Sequence, residues 1–329
     1  MAGDNLPASL QPFFFDSRNP AFRKTLQLCR KAATSSANLL LAGESGTGKE
    51  VLAHYVRCTG ERRDGPFVAV NCSSYTETLL ESELFGHEQG SFTGATTTKQ
   101  GKLELAEKGI FFLDEVGDIS QHTQLKLLRV LETKCVERIG STQSRKIDFR
   151  LISATNVDLR DAIQNGVFRE DFFYRISTIV IPIPPLRERP EDLPSLVDFF
   201  LKQSSAENNI PIVAMEKEAE RFLYEYDYPG NIRELKSIID RMVIFSEKGV
   251  VTRDGIPVMH SYYKDRSETA AESPFSEIVP FQQFKRNSER EYLNWVLGQV
   301  GGNVAEAARQ LQMSSRQLFN KINDLELKK

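Results

Sequence analysis

Long hydrophobic runs are missing from this 329-residue chain. The most apolar stretches, "NLLLAG" and "STIVIPIPPL", fall short of the roughly 20 residues a membrane-spanning helix needs. No secretory leader pattern opens the sequence, so a cytoplasmic protein without a membrane partner is expected. Cysteine is scarce. Cys29, Cys58, Cys72 and Cys135 are scattered with no Cys-x-x-Cys spacing, which reads as reduced thiols. An excess of either charge is missing too: 42 basic residues face 45 acidic ones, for a net charge of -3. That balance gives no overall attraction to nucleic acid, so any such binding has to be local. Internal repeats and low-complexity tracts are absent as well.

What is present divides into blocks, and the length suits two or three domains. Residues 1–17 are a lead-in segment, punctuated by proline, whose Phe13, Phe14 and Phe15 are expected to pack on a neighbouring surface. Over 18–187, five short β-rich runs ("ANLLLAG", "PFVAVNC", "GIFFLDEV", "FRLISATN" and "STIVIPI") alternate with helical ones such as "KEVLAHYVRC" and "HTQLKLLRVLE". That alternation predicts an α/β fold, a mostly parallel sheet with helices on both faces. After the proline-rich break "PIPPLRERPEDLPSL" the pattern over 188–260 turns helical and suits a smaller all-α lid. Residues 261–280 are polar and aperiodic, a linker, and 281–329 recover helical periodicity.

The first chemical signal is "LLLAGESGTGKE". An apolar strand runs into Gly43, Glu44, Ser45, Gly46, Thr47, Gly48 and Lys49, and a helical run follows. This is G-x-x-x-x-G-K spacing, in which glycines let backbone N–H groups turn toward phosphate oxygens and the lysine adds a mobile cation. A plain glycine turn between strand and helix is the alternative, and the strand-before, helix-after context argues against it. Position 50 is Glu50, where the general pattern has Ser or Thr to help hold Mg²⁺. "GIFFLDEV" offers substitutes: a buried strand ends in Asp114, suited to Mg²⁺, and Glu115, suited to polarising an attacking water.

With these motifs in place the sequence resembles the AAA+ domain of sigma-54-dependent transcription activators, the bacterial enhancer-binding proteins. "GESGTGKE", "ESELFGHEQGSFTGA", "GIFFLDEV", "LLRVLE", "FREDFFYRI", "PPLRER" and "YPGNIREL" occur in that family's order, covering most of the chain. Glutamate is usual after the P-loop lysine there, which accommodates Glu50. The resemblance implies an ATPase that uses ATP and Mg²⁺. It also implies that "GSFTGA" (Gly90, Ser91, Phe92, Thr93, Gly94, Ala95) is the loop that grips sigma-54, with Ser91 where the family has Ala. Glycines at 90 and 94 suit an extensible tip, with Phe92 and Thr93 offering an apolar contact and a hydroxyl. Asn71 resembles the switch residue that holds the catalytic glutamate, and Thr155 with Asn156 the sensor of the γ-phosphate. Arg169 and Arg175 resemble arginine fingers donated to a neighbouring subunit, and Arg233 the second sensor on the lid.

The C-terminal stretch "GGNVAEAARQLQMSSRQLFNKINDLEL" predicts two short helices. Asn303 caps the first, "QMS" makes the turn, and Leu318, Ile322 and Leu325 lie on one side of the second. It resembles the Fis-type helix-turn-helix, with Ser315, Arg316, Gln317, Asn320 and Lys321 toward double-stranded DNA. "NSEREYLNWVLGQV" before it has the spacing of a dimerising helix. The implied protein binds upstream DNA as a dimer, assembles into a ring, expected to be a hexamer, and remodels the closed complex of sigma-54 RNA polymerase. The alternative is a repressor-type DNA-binding regulator whose AAA+ domain binds nucleotide without engaging sigma-54. Removing the Glu115 carboxylate separates the two.

Overall fold

The computed structural model describes residues 17–92, 95–256, 281–300 and 303–325, divided into two compact units at residue 257. The phenylalanines at 13–15, Thr93, Gly94 and the linker at 261–280 lie outside the described residues.

In the first unit α1 (Pro20–Ala33) leads to β1 (Leu39–Ala42), α2 (Lys49–Thr59) and β2 (Phe67–Asn71). Next come α3 (Glu77–Phe85) and a small hairpin of β3 (Gly86–His87) with β4 (Lys99–Gln100). α4 (Lys102–Leu105) precedes β5 (Ile110–Asp114). α5 (Gln121–Thr133) precedes a second hairpin of β6 (Cys135–Glu137) with β7 (Ser144–Lys146). β8 (Arg150–Thr155), α6 (Leu159–Gln164), α7 (Glu170–Ile176) and β9 (Ile179–Pro182) complete the α/β part.

The sheet order is β2-β5-β8-β1-β9, and every pairing is parallel. These are the five runs expected as strands. They are apolar almost throughout because a parallel sheet is covered on both faces. Alternate residues leave opposite sides. Leu39, Leu41, Ile110, Phe112 and Ile152 pack with Phe22 of α1 and Leu52 of α2, while Leu40, Phe111, Leu113 and Leu151 meet Leu127 of α5 and Phe172 of α7. Each such side chain contributes about 1.5–3 kcal/mol on burial. The register sets Ala42 beside Thr155 and Leu113 beside Ser153. The loops leaving β1, β5 and β8 therefore share the carboxyl edge of the sheet, where ligands of open α/β sheets bind.

A helical part follows: α8 (Leu193–Asn208), β10 (Ala214–Met215), α9 (Lys217–Glu225), α10 (Asn231–Ile244) and β11 (Val250–Val251), with β10 and β11 paired. Leu196, Phe200, Leu235 and Ile239 join the same apolar cluster as one face of the sheet, so the lid is packed and not merely tethered. The joint between the two parts is a buried charge cluster. Arg189 is 2% exposed, its guanidinium lies 3.4 Å from the Phe22 ring centre, and it pairs with Asp192 at 2.9 Å. Asp192 also accepts from the Ser17 hydroxyl (2.7 Å) and the Arg18 N–H (3.0 Å). Asn19 caps α1 through the Phe22 N–H and donates to Glu188 O and Glu191. The chain entering α1 is thereby tied to the segment that leads into the lid.

The second unit comprises α11 (Phe281–Gln299), α12 (Val304–Gln310) and α13 (Ser315–Asp324). Leu293, Val296, Ala307, Ala308, Leu318, Ile322 and Leu325 form its core, so the apolar side read from the sequence is the buried one. No described helix is long and apolar enough to cross a membrane.

Candidate functional site

The glycine turn between β1 and α2 closes around its own lysine. Gly46 (φ 76) and Gly48 (φ 95) take left-handed conformations that a side chain would strain. The Lys49 ammonium, 6% exposed, donates to Gly43 O at 3.0 Å and lies 3.4 Å from a Glu115 carboxylate oxygen. The Thr47 hydroxyl donates to Glu44 O at 2.8 Å. Glu115 itself is left-handed (φ 52, ψ 52), a conformation that costs a non-glycine residue energy and that recurs at functional sites. Its other oxygen accepts the Asn156 N–H at 3.2 Å, so the carboxylate spans from the P-loop lysine to the end of β8.

Asp114 and Glu50 supply a carboxylate pair. Partial desolvation and the charge of Asp114 push the Glu50 carboxyl above its ordinary value. A divalent cation would relieve that repulsion, and the oxygen-only donor set fits Mg²⁺, which takes one or two carboxylates plus phosphate oxygens and water. No cluster of three or more ligating side chains occurs among the described residues.

Asn71 ends β2 directly beside Asp114 of β5. Its amide N–H donates to Asp114 Oδ2 at 3.2 Å, not to Glu115. The Asn71 carbonyl oxygen is taken by the Ser73 N–H and by the hydroxyls of Ser73 (2.7 Å) and Ser74 (3.2 Å). That local turn fixes the side chain and leaves its amide for the nearer carboxylate. Asn71 thus bears on the proposed metal ligand, while Lys49 and Asn156 hold the glutamate.

Thr155 is buried at the end of β8, and its Oγ1 accepts the Val157 N–H at 3.1 Å. Arg233 donates to the Ser45 hydroxyl at 2.8 Å, which brings the expected second sensor onto the P-loop. Two P-loop partners escaped the sequence reading. Arg187 grips Glu44 with two bonds of 2.6 and 2.8 Å, and Asn231 donates to Glu44 (3.1 Å) and to Ser45 O (3.0 Å). The Ile232 N–H donates to Gly46 O at 3.0 Å, completing the latch between lid and P-loop. "LRER" and "GNIREL" carried the signal, in residues beside those already chosen.

The Arg187 and Asn231 hydrogen bonds pull the Glu44 carboxyl from its ordinary 4.5 to about 2. Because the folded value is depressed, the latch is fully present above about pH 4.5 and weakens only as pH falls toward 2. The Arg187 and Glu44 side chains are each 42% exposed, so salt rather than physiological pH is what loosens it. Glu44→Gln is expected to raise the KM for ATP about two- to fivefold, with a flat profile between about pH 6 and 8. Steady-state turnover at low and high ionic strength checks this.

The two candidate fingers differ. Arg169 is held by Asp171 of its own chain at 2.6 Å, whereas exposed Arg175 donates only to Leu131 O among the described contacts, at 2.6 Å. Most of the Arg175 guanidinium donors meet no partner among the described contacts. In the loop, Phe92 is not displayed. It is half-buried, its ring edge-on to His87 with 5.0 Å between centres. Gly90 and Ala95 close the stem through an N–H···O bond of 2.9 Å.

In the second unit, Asn303 caps α12 through the N–H groups of Ala305 and Glu306. Ser314 caps α13, and Gln317 completes the capping box by accepting from Ser314. Gln317 therefore has its carbonyl engaged on its own helix, and Lys321 is paired with Glu289. Ser315, Arg316 and Asn320 are exposed. The Ser-x-x-Gln spacing was the available signal for the box.

Family comparison agrees with this assembly. Residues 15–182 match the sigma-54 interaction domain, 187–273 the AAA+ ATPase lid domain, and 285–325 the bacterial regulatory protein, Fis family. The chain is 40% identical to the Nif-specific regulatory protein of Herbaspirillum seropedicae over 94% of its own length and 61% of that protein's. It is 39% identical to regulatory protein AtoC of Escherichia coli over 94% and 67%, and 38% identical to transcriptional regulatory protein ZraR of Salmonella typhimurium over 98% and 71%. NtrX from Brucella abortus, solved in complex with ADP, superposes with a TM-score of 0.70 at 33% identity, over 96% of this chain and 70% of that one. In complex with ATP it gives 0.69 at 33% identity, over 94% and 69%. The chain spans about three-fifths of the Herbaspirillum regulator. With the P-loop, the carboxylate strand and the capped helix pair in place, the chain belongs to the sigma-54-dependent transcription activators.

Proposed function

We propose that this protein hydrolyses ATP to drive opening of promoters by sigma-54 RNA polymerase, while its C-terminal helices hold it on upstream DNA. The observation that carries the reading is the Lys49–Glu115 pair, which sets a phosphate-binding cation and a water-activating carboxylate 3.4 Å apart at one sheet edge. The backbone N–H groups of Gly46 to Lys49 hold the phosphates, and Lys49 neutralises the terminal ones. Asp114, oriented by Asn71 and assisted by Glu50, would hold Mg²⁺, whose positive charge would be supplied against the phosphate oxygens. Glu115 takes the proton of the attacking water as its oxygen bonds the terminal phosphorus and the bridging bond to ADP breaks. Asn156 keeps Glu115 aimed, and Thr155 stands beside it at the end of β8. Arg233 and the Glu44–Arg187–Asn231 latch report the state of the pocket to the lid.

Arg175 is the favoured finger and Arg169 the second, each reaching a neighbour's phosphates in a ring, expected to be hexameric, so that turnover requires assembly. The loop at 90–95 then meets sigma-54. DNA contact falls to Ser315, Arg316 and Asn320, with Gln317 and Lys321 joining once released from their present partners, and pairing of two copies supplies affinity. Thr93→Ala tests the loop assignment. ATP turnover is expected to persist while open-complex formation on a sigma-54 promoter is lost. Normal promoter opening by that variant ends the reading.

A further inference from the structure

We propose that Ser91 is a release element: its hydroxyl, buried with no hydrogen-bond partner among the described residues, weakens the seat of the loop that carries Phe92. The proposal deepens the reading of residues 90–95 as the sigma-54 contact, and its consequence for sigma-54 rests on that reading.

The seat is otherwise well bonded. The Glu88 N–H donates to Ile139 O and the Ile139 N–H to Gly86 O, each at 3.0 Å, so the loop stem is stitched to the turn of the β6–β7 hairpin. Arg138 bridges Glu88 (3.2 Å) and Glu104 (2.8 Å). Within the loop the Ser91 N–H reaches Glu88 O at 3.2 Å and the Ala95 N–H reaches Phe92 O at 3.0 Å. The His87 ring under Phe92 is buried and fixed by a bond of 2.8 Å between its Nδ1 and the Ser82 hydroxyl. The side chain of Ser91 is pressed on Gly140, so closely that a Cβ at 140 would stand 2.6 Å from the Ser91 Cβ. In that contact the Ser91 Oγ is shut off from water and meets no hydrogen-bond partner among the described residues.

A hydroxyl in that position has given up its bonds to water and gained none. Lifting the loop off the hairpin restores them, so the hydroxyl favours the raised state. A methyl in its place loses nothing on seating. Ser91 therefore raises the fraction of molecules with the loop raised, and a partner that binds only the raised loop sees its apparent affinity scaled by that fraction.

The experiment compares the whole protein with its Ser91→Ala variant, reading amide hydrogen exchange over residues 86–98 and binding of purified sigma-54 in the presence of a transition-state mimic of ATP hydrolysis. Exchange at the Glu88 amide, whose bond to Ile139 O joins the loop stem to the hairpin, is expected to slow about tenfold in the variant, and sigma-54 affinity to fall by a similar factor. Unchanged or faster exchange overturns the proposal whatever the affinity does, because a direct Ser91 contact with sigma-54 would lower affinity without slowing exchange. Slower exchange with no sigma-54 binding by either protein keeps the release element and overturns the sigma-54 assignment instead.

Discussion

Replacing Glu115 by glutamine is expected to slow ATP turnover about a thousandfold, the middle of the range a positioned general base supplies. Glutamine keeps the volume at the end of β5 and still accepts the Asn156 N–H, so the fold and the aim of the side chain survive. What it loses is the capacity to take a proton from water. It also gives up the ion pair with Lys49, which leaves that ammonium free for phosphate, so nucleotide affinity should hold or increase. Phosphate release measured beside binding of a fluorescent nucleotide separates the two effects. If turnover falls and transcription from a sigma-54 promoter falls with it, while DNA binding persists, the activator reading stands against the repressor-type alternative. Near-normal turnover would mean that another group activates the water, and the left-handed backbone at 115 would then need a different reason.

Removing Asp192 should have the largest effect on stability. Asp192→Ala takes the Asp192 carboxylate from the buried Arg189 guanidinium, and breaking a buried pair in this way costs about 3–5 kcal/mol. For a unit of this size that lowers the thermal midpoint on the order of 10 °C. The Ser17 hydroxyl and Arg18 N–H lose their acceptor in the same change, so the start of α1 should fray as well. The paired replacement Arg189→Met with Asp192→Leu is the control: apolar groups of similar bulk are expected to recover most of the loss, because the charges are expensive to bury in the first place. Calorimetry of the three variants checks this. A loss below about 1 kcal/mol would mean that water reaches the pair.

The sheet was legible in the sequence because its burial is two-sided. Runs such as Ile110–Leu113 have no polar face to imitate a helix, and flanking glycine and proline set their ends. The P-loop was legible because its chemistry is local, with all its glycines and its lysine within seven positions. The helix pair at the C-terminus was legible for the same reason, through Asn303 and the period of Leu318, Ile322 and Leu325. What escaped was non-local. Asn71 was expected beside Glu115, but Ser73 and Ser74 compete for its carbonyl oxygen and turn the amide to Asp114. Arg187 and Asn231 lie more than 140 positions from Glu44, and nothing in "LRER" or "GNIREL" by itself names that carboxylate. The Arg189–Asp192 pair lay unnoticed in the proline-rich break, since the phenylalanine that covers it comes from the far end of the domain. The hairpins β3–β4 and β6–β7, with two or three residues per strand, are too short to set up a pattern of alternation.

The close approach at Gly46 has a consequence for how this molecule can evolve. A methyl there would fall 2.3 Å from Gly230 O, and the bend carrying that carbonyl is pinned by two residues, Tyr228 and Asn231, that themselves sit at positive φ. Roof and floor of the pocket are therefore one interlocked casting. Drift in either must be answered in the other, although nearly two hundred positions of chain separate them.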